Sequence, residues 1–139
     1  MSARTERINF KTKGDGDTID LTDEVRSTLK QSGVKDGMAV VFVPGSTAAI
    51  TTVEYEGGLL KDLKEAFERL VPQGHPYAHN HGGDSNGHAH VRAAIVGPSA
   101  AIPIEGGRLT LGTWQQIVLI DFDDRPRARE VVIQIVGER

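Results

Sequence analysis

The 139-residue chain contains no cysteine, and aromatic residues make up only 5% of it. Without cysteine, the protein cannot form disulfides, bind a metal through thiolates or use a thiolate nucleophile. No apolar run approaches the roughly 18 residues that a transmembrane helix needs, and the first residues do not resemble a signal peptide. We therefore expect a soluble, cytoplasmic protein that does not act on membranes.

The chain also lacks a large excess of charge of either sign, because it has 16 basic and 19 acidic residues and a net charge of −3. General affinity for nucleic acid or for an anionic membrane needs a basic surface, so neither partner is expected. The length fits one domain, which we place at residues 1–139. The chain shows no linker, repeat or low-complexity segment that would divide it.

The hydrophobic pattern predicts an α+β fold. Leu21, Val25 and Leu29 recur at four-residue spacing and predict a short helix, and a second helix is predicted over 59–70. The predicted strands are 4–12, 38–43, 48–54, 88–96, 101–104, 108–111, 114–122 and 129–136. The late strands follow one another, so we expect an antiparallel meander covered by the helices. The last strand is almost wholly apolar, so it is either central in the sheet or covered by an oligomer interface.

All five histidines lie between His75 and His90, in a glycine-rich segment. If a strand begins near His88, then His88 and His90 point to the same face. His79 and Asp84 precede them on a loop that could fold back. Two or three imidazoles with a carboxylate form the ligand set of a zinc or other divalent metal site with an open position. They could equally form an acid–base pair near neutral pH, or remain solvated without a role.

Five further polar or aromatic residues are candidates for binding. Glu54 lies at a strand end, where binding residues often occur, although it could be a solvated turn carboxylate. Ser46 and Thr47 could offer hydroxyl and N–H groups to an anion, or could cap the local turn. Arg92 lies two residues after His90 and could bind phosphate or form a salt bridge. Trp114, the only tryptophan, could contact a ligand, the core or an interface.

Several of these segments occur together, in order, in a known family. The matching segments are Pro44–Thr52, Glu54, His79–Asn80, Gly83–Asp84, Asn86–His90 and Leu111–Gln116. On these motifs the chain resembles the YjbQ-like family, also called the secondary thiamine-phosphate synthase family, from about Phe10 to Val136. It departs from the family pattern at Gly45, where members often have a histidine, and by the additional His81.

The resemblance implies a small α+β domain with a largely antiparallel, sandwich-like sheet arrangement, two or three helices and a homotrimeric assembly. It also implies thiamine-phosphate synthase activity, as a main or a side reaction. That reaction joins a pyrimidine pyrophosphate to a thiazole phosphate and releases pyrophosphate. The partner implied is therefore a small phosphorylated substrate.

From the residues and the resemblance together we predict one site. The expected catalytic residues are His79, Asp84, Asn86, His88 and Glu54. The expected substrate- or phosphate-binding residues are Ser46, Thr47, Arg92 and Trp114. A divalent metal, zinc or magnesium, is expected at His79, His88 and His90. The alternative hypothesis is a non-catalytic trimer that binds a metal or a phosphorylated metabolite.

Overall fold

The computed structural model describes residues 1–139, which form eight strands and three helices. In chain order these are β1 (Ser2–Thr12), β2 (Asp17–Asp20), α1 (Thr22–Ser32), β3 (Asp36–Phe42), β4 (Ala48–Val53), α2 (Gly57–Leu70), α3 (Gly87–Val96), β5 (Ser99–Glu105), β6 (Arg108–Leu109), β7 (Gln116–Asp121) and β8 (Arg127–Glu138). The α+β class is confirmed. None of the three helices has the length and apolar character needed to span a membrane.

The strands form two antiparallel sheets. A five-stranded sheet has the order β1-β8-β3-β5-β6, and a three-stranded sheet has the order β2-β7-β4. β8 lies between β1 and β3; it pairs with β1 over almost its whole length and with β3 from Val132 to Glu138. Its alternate residues Val131, Ile133 and Ile135 are fully buried. The apolar last strand is therefore central in the sheet, which was one of the two predictions; the other was cover by an oligomer interface.

One hydrophobic core fills the space between the two sheets, and a second lies beneath two helices. The first contains Val41, Ile133 and Ile135 from the large sheet and Ile117 and Leu119 from the small one, with α1 packed at its edge. The second core lies on the opposite face of the small sheet, where side chains of α2 and α3 cover it. The small sheet is thus the middle layer of the domain.

The predicted meander is wrong, because β7 leaves the large sheet. β5 and β6 pair next to β3, whereas β7 lies between β2 and β4 in the small sheet. Four consecutive β7 residues, Ile117 to Ile120, are at most 2% exposed. A strand that is apolar on both faces must be shielded from water on both faces, and in this domain only the small middle sheet is packed on both sides.

The predicted strand over 88–96 is also wrong, because these residues form the helix α3. Besides Gly87 at its start, the buried residues of α3 fall in two pairs at four-residue spacing, His88 with Arg92 and Ala89 with Ala93. This is the period of one helix face, and alanine has the highest helix propensity. The two small alanines let the helix lie close against β4.

Three connections between the sheets meet at one end of the domain. The chain passes from one sheet to the other between β1 and β2, between β3 and β4, and between β7 and β8. Backbone hydrogen bonds join these connections, from Asp15 N–H to Asp123 O (2.7 Å) and from Phe122 N–H to Thr47 O (2.9 Å). Polar residues that are far apart in the sequence are therefore brought together at this end.

Gly37 provides a test of the packing between β3 and β8. A Cβ atom at Gly37 would lie 2.0 Å from the carbonyl oxygen of Val136. Gly37→Ala should therefore force the central strands apart and lower the free energy of unfolding by about 1–3 kcal/mol. Gly57→Ala is the matched control, because a Cβ there meets no atom within 4 Å. Equal midpoints for the two variants in urea denaturation would contradict this packing.

Candidate functional site

A buried ion pair lies where the three connections meet. Arg129 on β8 donates from Nε to Asp121 Oδ2 (2.7 Å) and from Nη2 to Asp121 Oδ1 (2.8 Å). Asp121, at the end of β7, is fully buried, and the Arg129 side chain is 5% exposed. Arg129 Nη2 also donates to Thr47 Oγ1 (2.6 Å), and the Thr12 hydroxyl donates to Asp121 Oδ2 (2.5 Å). One ion pair thus holds residues from all three connections.

Hydrogen bonding keeps this buried carboxylate ionised. Burial by itself raises the pKa of Asp121, but the hydrogen bonds from Arg129 and Thr12 outweigh it and hold the pKa below its ordinary value. The same pairing with Asp121 raises the pKa of Arg129 above the usual range. Asp121 therefore stays ionised opposite Arg129 to a lower pH than an ordinary aspartate would.

Asp123 is the centre of a second network on the solvent side of the pair. Its Oδ2 accepts hydrogen bonds from Thr47 Oγ1 (3.1 Å) and from Arg127 Nη1 (3.0 Å). Its Oδ1 accepts from the side-chain amide of Asn86 (3.3 Å). Burial raises the pKa of Asp123, but the Asp124 backbone N–H and the Thr47 and Asn86 side chains outweigh it and lower the pKa overall.

This network also determines which ring nitrogen of neutral His79 carries the hydrogen. The carboxylate of Asp123 only accepts, so the Asn86 amide must direct its Nδ2 towards it and its Oδ1 away from it. Asn86 Oδ1 lies 3.1 Å from His79 Nε2, which must therefore carry the hydrogen. The lone pair of the neutral imidazole is then on Nδ1. The His90 ring stands beside this imidazole, with ring centroids 4.5 Å apart.

A cleft of about 330 Å³ opens next to these groups. It is lined by the segment Pro44–Thr47, by Asn86, His90 and Asp123, and by the segment Arg127–Glu130. The backbone N–H groups of Gly45, Ser46 and Thr47 donate no hydrogen bond within the chain. Arg129 Nη1 also has no acceptor in the chain, and it faces Gly45, where a Cβ would lie 3.1 Å from it. The cleft therefore offers several free donors and one open approach to a buried guanidinium.

His88 does not join the other two histidines. Successive helical residues are about 100° apart, so His88 and His90 point in nearly opposite directions from α3, and the predicted shared face is wrong. His88 is 1% exposed, and its Nδ1 has no hydrogen-bond partner. Burial, and then the charge of Arg92, lower its pKa.

A metal held by three histidines does not fit this chain. His79 and His90 adjoin each other, but His88 is buried on another face of α3. No group of three or more histidine, aspartate or glutamate side chains in the structure is arranged to hold a metal ion. The buried Nδ1 of His88 is separate from the cleft.

Arg92 is not in the cleft, contrary to its prediction as a phosphate ligand. Its guanidinium is buried and donates to the carbonyl oxygen of Val71 (3.0 and 2.8 Å) and to Glu68 (2.9 Å). Because α3 is a helix, Arg92 shares the face of His88 and joins α3 to the end of α2. Of the two roles predicted for Arg92, phosphate binding and a salt bridge, the structure shows the salt bridge, with Glu68.

Glu54 and Trp114 lie in a separate cleft, together with Tyr55. In the small sheet, Val53 pairs with Gln116 at one end and Ala48 with Asp121 at the other. Five residues of strand separate the two ends, which is about 17 Å. Within one chain, the expectation that Glu54 and Trp114 share the histidine site is therefore wrong. Trp114 is 72% exposed.

The remaining predicted residues lie at or beside the cleft. Ser46 and Thr47 line it, and Asn86 joins Asp123 to His79. Asp84 is exposed in the preceding loop, where its N–H bonds to the carbonyl oxygen of His81 (3.1 Å). No side-chain hydrogen bond joins Asp84 to a histidine; the side chains that hold His79 are Asn86 and, through it, Asp123.

Four charged residues of the site were not predicted from the sequence. Asp121 ends β7, Asp123 lies in the turn after it, and Arg127 and Arg129 begin β8, but none of the four was predicted to belong to the site. One signal was available, because Asp121 lies between Ile120 and Phe122 in an otherwise apolar strand. A charge inside such a strand is rarely buried without a partner. Arg125, Arg127 and Arg129, at alternate positions just after Asp121, were the nearest cations along the chain.

The buried ion pair makes a strong prediction for stability. Asp121→Asn leaves the Arg129 charge buried without its counterion, which should lower the free energy of unfolding by about 3 kcal/mol. Glu130→Gln, which removes the exposed partner of Arg7, is the control and should cost less than about 1 kcal/mol. Chemical denaturation of the two variants measures both changes. A loss as small for Asp121→Asn as for Glu130→Gln would contradict the role of the pair.

His88 should make stability depend on pH. Its pKa in the folded protein lies below the unfolded value of 6.5, so the unfolded state binds more protons as the pH falls below 6.5. Stability should therefore decrease on acidification, by at most about 1.4 kcal/mol per pH unit for this one proton. His88→Gln should flatten that slope, and His81→Gln, at an exposed position, should not. Unfolding curves at several pH values between 7 and 5 measure this dependence. Equal slopes of stability against pH for wild type and His88→Gln would show that His88 is not its source.

Comparison with known proteins places this architecture in a family. Residues 6–138 match the family model described as UPF0047 protein YjbQ-like. A UPF0047 protein of Archaeoglobus fulgidus is 40% identical over 127 residues, covering 91% of this chain and 97% of that protein. The UPF0047 protein YugU of Bacillus subtilis is 35% identical over 131 residues, covering 94% and 97%.

Solved structures agree with the fold. A crystal structure of a protein of unknown function from Sulfolobus solfataricus superposes with a TM-score of 0.94 at 33% identity, covering 99% of both chains. An uncharacterised conserved protein from Clostridium acetobutylicum gives a TM-score of 0.87 at 39% identity, covering 94% of this chain and 99% of the other. The match extends through both sheets and all three helices, and the chain belongs to the YjbQ-like (UPF0047) family.

Proposed function

We propose that the protein is an enzyme that binds a phosphorylated small molecule in the cleft beside Arg127 and Arg129. The reaction we assign to it is the one implied by the sequence resemblance. A thiazole phosphate nitrogen attacks the methylene carbon of a pyrimidine pyrophosphate, a C–N bond forms, the C–O bond breaks and pyrophosphate leaves. This reaction concentrates negative charge on a leaving group, so an anion-binding cleft is its main requirement.

The observation that carries this proposal is the run of free donors on the loop between β3 and β4. Gly45, Ser46 and Thr47 line the cleft, and their three consecutive backbone N–H groups have no acceptor in the chain. Successive N–H groups of this kind form concave sites for phosphate and other anions. The Thr47 side chain is held by Asp123 and Arg129, so the loop is fixed before a ligand arrives.

Two guanidinium groups strengthen the attraction of an anion to this loop. Arg127 uses Nη1 for Asp123 and has its other nitrogens free, and Arg129 has Nη1 free on the side of Gly45. A planar guanidinium binds phosphate through two parallel hydrogen bonds. Asp121 and Asp123 balance the formal charge of Arg127 and Arg129, so the attraction for an anion comes from the unpaired N–H groups of the loop and the free edges of the two guanidinium groups.

The two adjacent imidazoles supply proton transfer. His79 has its Nδ1 lone pair available because Asn86 holds its Nε2–H, and His90 lines the cleft itself. An imidazole with a free lone pair can take up a proton and then, in its protonated form, give that proton to a leaving phosphate oxygen. The predicted zinc or magnesium ion and the predicted homotrimer remain predictions, and no step of the reaction is assigned to either.

The test is a coupled assay for thiamine phosphate and pyrophosphate with purified variants. Arg127→Gln should lower kcat/KM about 10- to 100-fold, because it removes one charge-assisted contact to phosphate. His79→Gln should lower kcat more than it raises KM, since it removes proton transfer and leaves the anion loop intact. Arg69→Gln, at an exposed position on α2 away from the cleft, is the control and should match the wild type.

Two results would contradict the proposal. One is wild-type turnover that Arg127→Gln and His79→Gln leave unchanged while both variants melt at the wild-type temperature. The other is binding of both substrates in the cleft with no turnover, which would favour the alternative hypothesis of a non-catalytic protein for phosphorylated metabolites. Calorimetry with each substrate separates these two results.

A further inference from the structure

A second cleft, of about 400 Å³, is lined by basic residues and lies away from the histidines. It is formed where the C-terminal half of α1 approaches the start of β3 and the turn between β5 and β6. Its lining contains four basic residues, three apolar residues, two glycines and no acidic residue: Arg26, Leu29, Lys30, Gly33, Val34, Lys35, Gly107, Arg108 and Leu109.

The positive charge of this cleft is largely uncompensated within the chain. Lys30, Lys35 and Arg108 form no ion pair, and Arg26 has one exposed contact of 4.0 Å with Asp23. Four cations around one cleft repel one another, and no acidic side chain in the lining offsets them. In a chain of net charge −3, such a cleft is a local region of opposite potential that attracts anions.

The backbone holds two of the cations at the mouth of the cleft. The Lys35 N–H donates to the carbonyl oxygen of Glu138 (2.7 Å), and the Gly107 N–H donates to the carbonyl oxygen of Lys35 (2.9 Å). Lys35 lies directly over Gly107, where a Cβ would come within 3.3 Å of its Nζ. Arg108 follows in the same hydrogen-bonded hairpin, so both charges are carried by a fixed part of the fold.

The basic cleft is separate from the anion-binding loop. Lys35 immediately precedes β3 and Gly45 lies shortly after its end, so the length of β3 keeps them at least about 20 Å apart. The two clefts share no residue. A ligand bound in one would not contact the other.

We propose that this basic cleft is a second binding site, for a small organic anion that carries a diphosphate or a similar multiple negative charge and an apolar portion. The cations would bind the charged groups, and the half-buried Leu109 would pack against the apolar portion, while Leu29 and Val34 line the cleft as part of the buried core. The concave shape and a volume in the range of about 300–1,000 Å³ favour a small molecule over an extended polymer. The site is independent of the reaction assigned above.

The experiment is isothermal titration of the protein with ADP, pyrophosphate and adenosine. ADP should bind more tightly than pyrophosphate, adenosine should bind weakest, and the ADP affinity should fall as salt is raised. The double variant Lys35→Glu, Arg108→Glu should weaken ADP binding at least 10-fold. The charge-preserving double variant Lys35→Arg, Arg108→Lys should stay within about 3-fold of the wild type, and thermal melts should show that both variants fold.

Arg127→Gln distinguishes this site from the reaction cleft. ADP binding that survives Arg127→Gln and is lost in the double charge reversal supports the second site, whatever the synthase assay shows. ADP binding that is lost in Arg127→Gln but unchanged by the charge reversal would overturn it, because the ligand would then occupy the reaction cleft. Failure of the wild type to bind ADP or pyrophosphate, with binding only of a long polyanion such as RNA, would also overturn it.

Discussion

The buried pair of Asp121 and Arg129 is the interaction on which the functional end of this domain depends. Each sheet contributes one partner, and Thr12 and Thr47 bring the other two connections onto the same two side chains. A buried charge without its partner is strongly destabilising, so the three connections can adopt only arrangements that keep the pair together. The anion-binding loop is therefore positioned by the fold itself. Arg129, which pairs with Asp121, also directs its Nη1 towards Gly45 at the cleft.

Most of the fold could be predicted from local patterns, and the exceptions have physical reasons. The periodicity of α1 and α2 and the apolar run of β8 are local signals, and each predicted its element correctly. The helix α3 was missed because ten residues with alanine, histidine and valine have no strong period-two or period-3.6 signal until their burial is known. The place of β7 in the middle layer depends on the packing of α2 and α3, which no pattern within β7 contains.

The site was predicted in part for a related reason. His79, Asn86, Ser46 and Thr47 were found because glycine-rich loops and clustered histidines are visible in the sequence, and all four lie at the site. Arg129, Asp121 and Asp123 belong to β7, β8 and the turn between them, and their convergence on Thr47 depends on the crossing between sheets. His88 was misplaced because residues 88 and 90 would lie on the same face of a strand, whereas in the helix α3 they point to nearly opposite sides.

The central claim is that the loop from Gly45 to Thr47 receives a phosphate group. The direct measurement is a titration of ¹⁵N-labelled protein with pyrophosphate, followed through the backbone amide resonances. The account predicts that the amides of Gly45, Ser46 and Thr47 and the side-chain Nη1 resonance of Arg129 shift together and saturate at one concentration. Unchanged loop amides in protein that binds pyrophosphate elsewhere would contradict it.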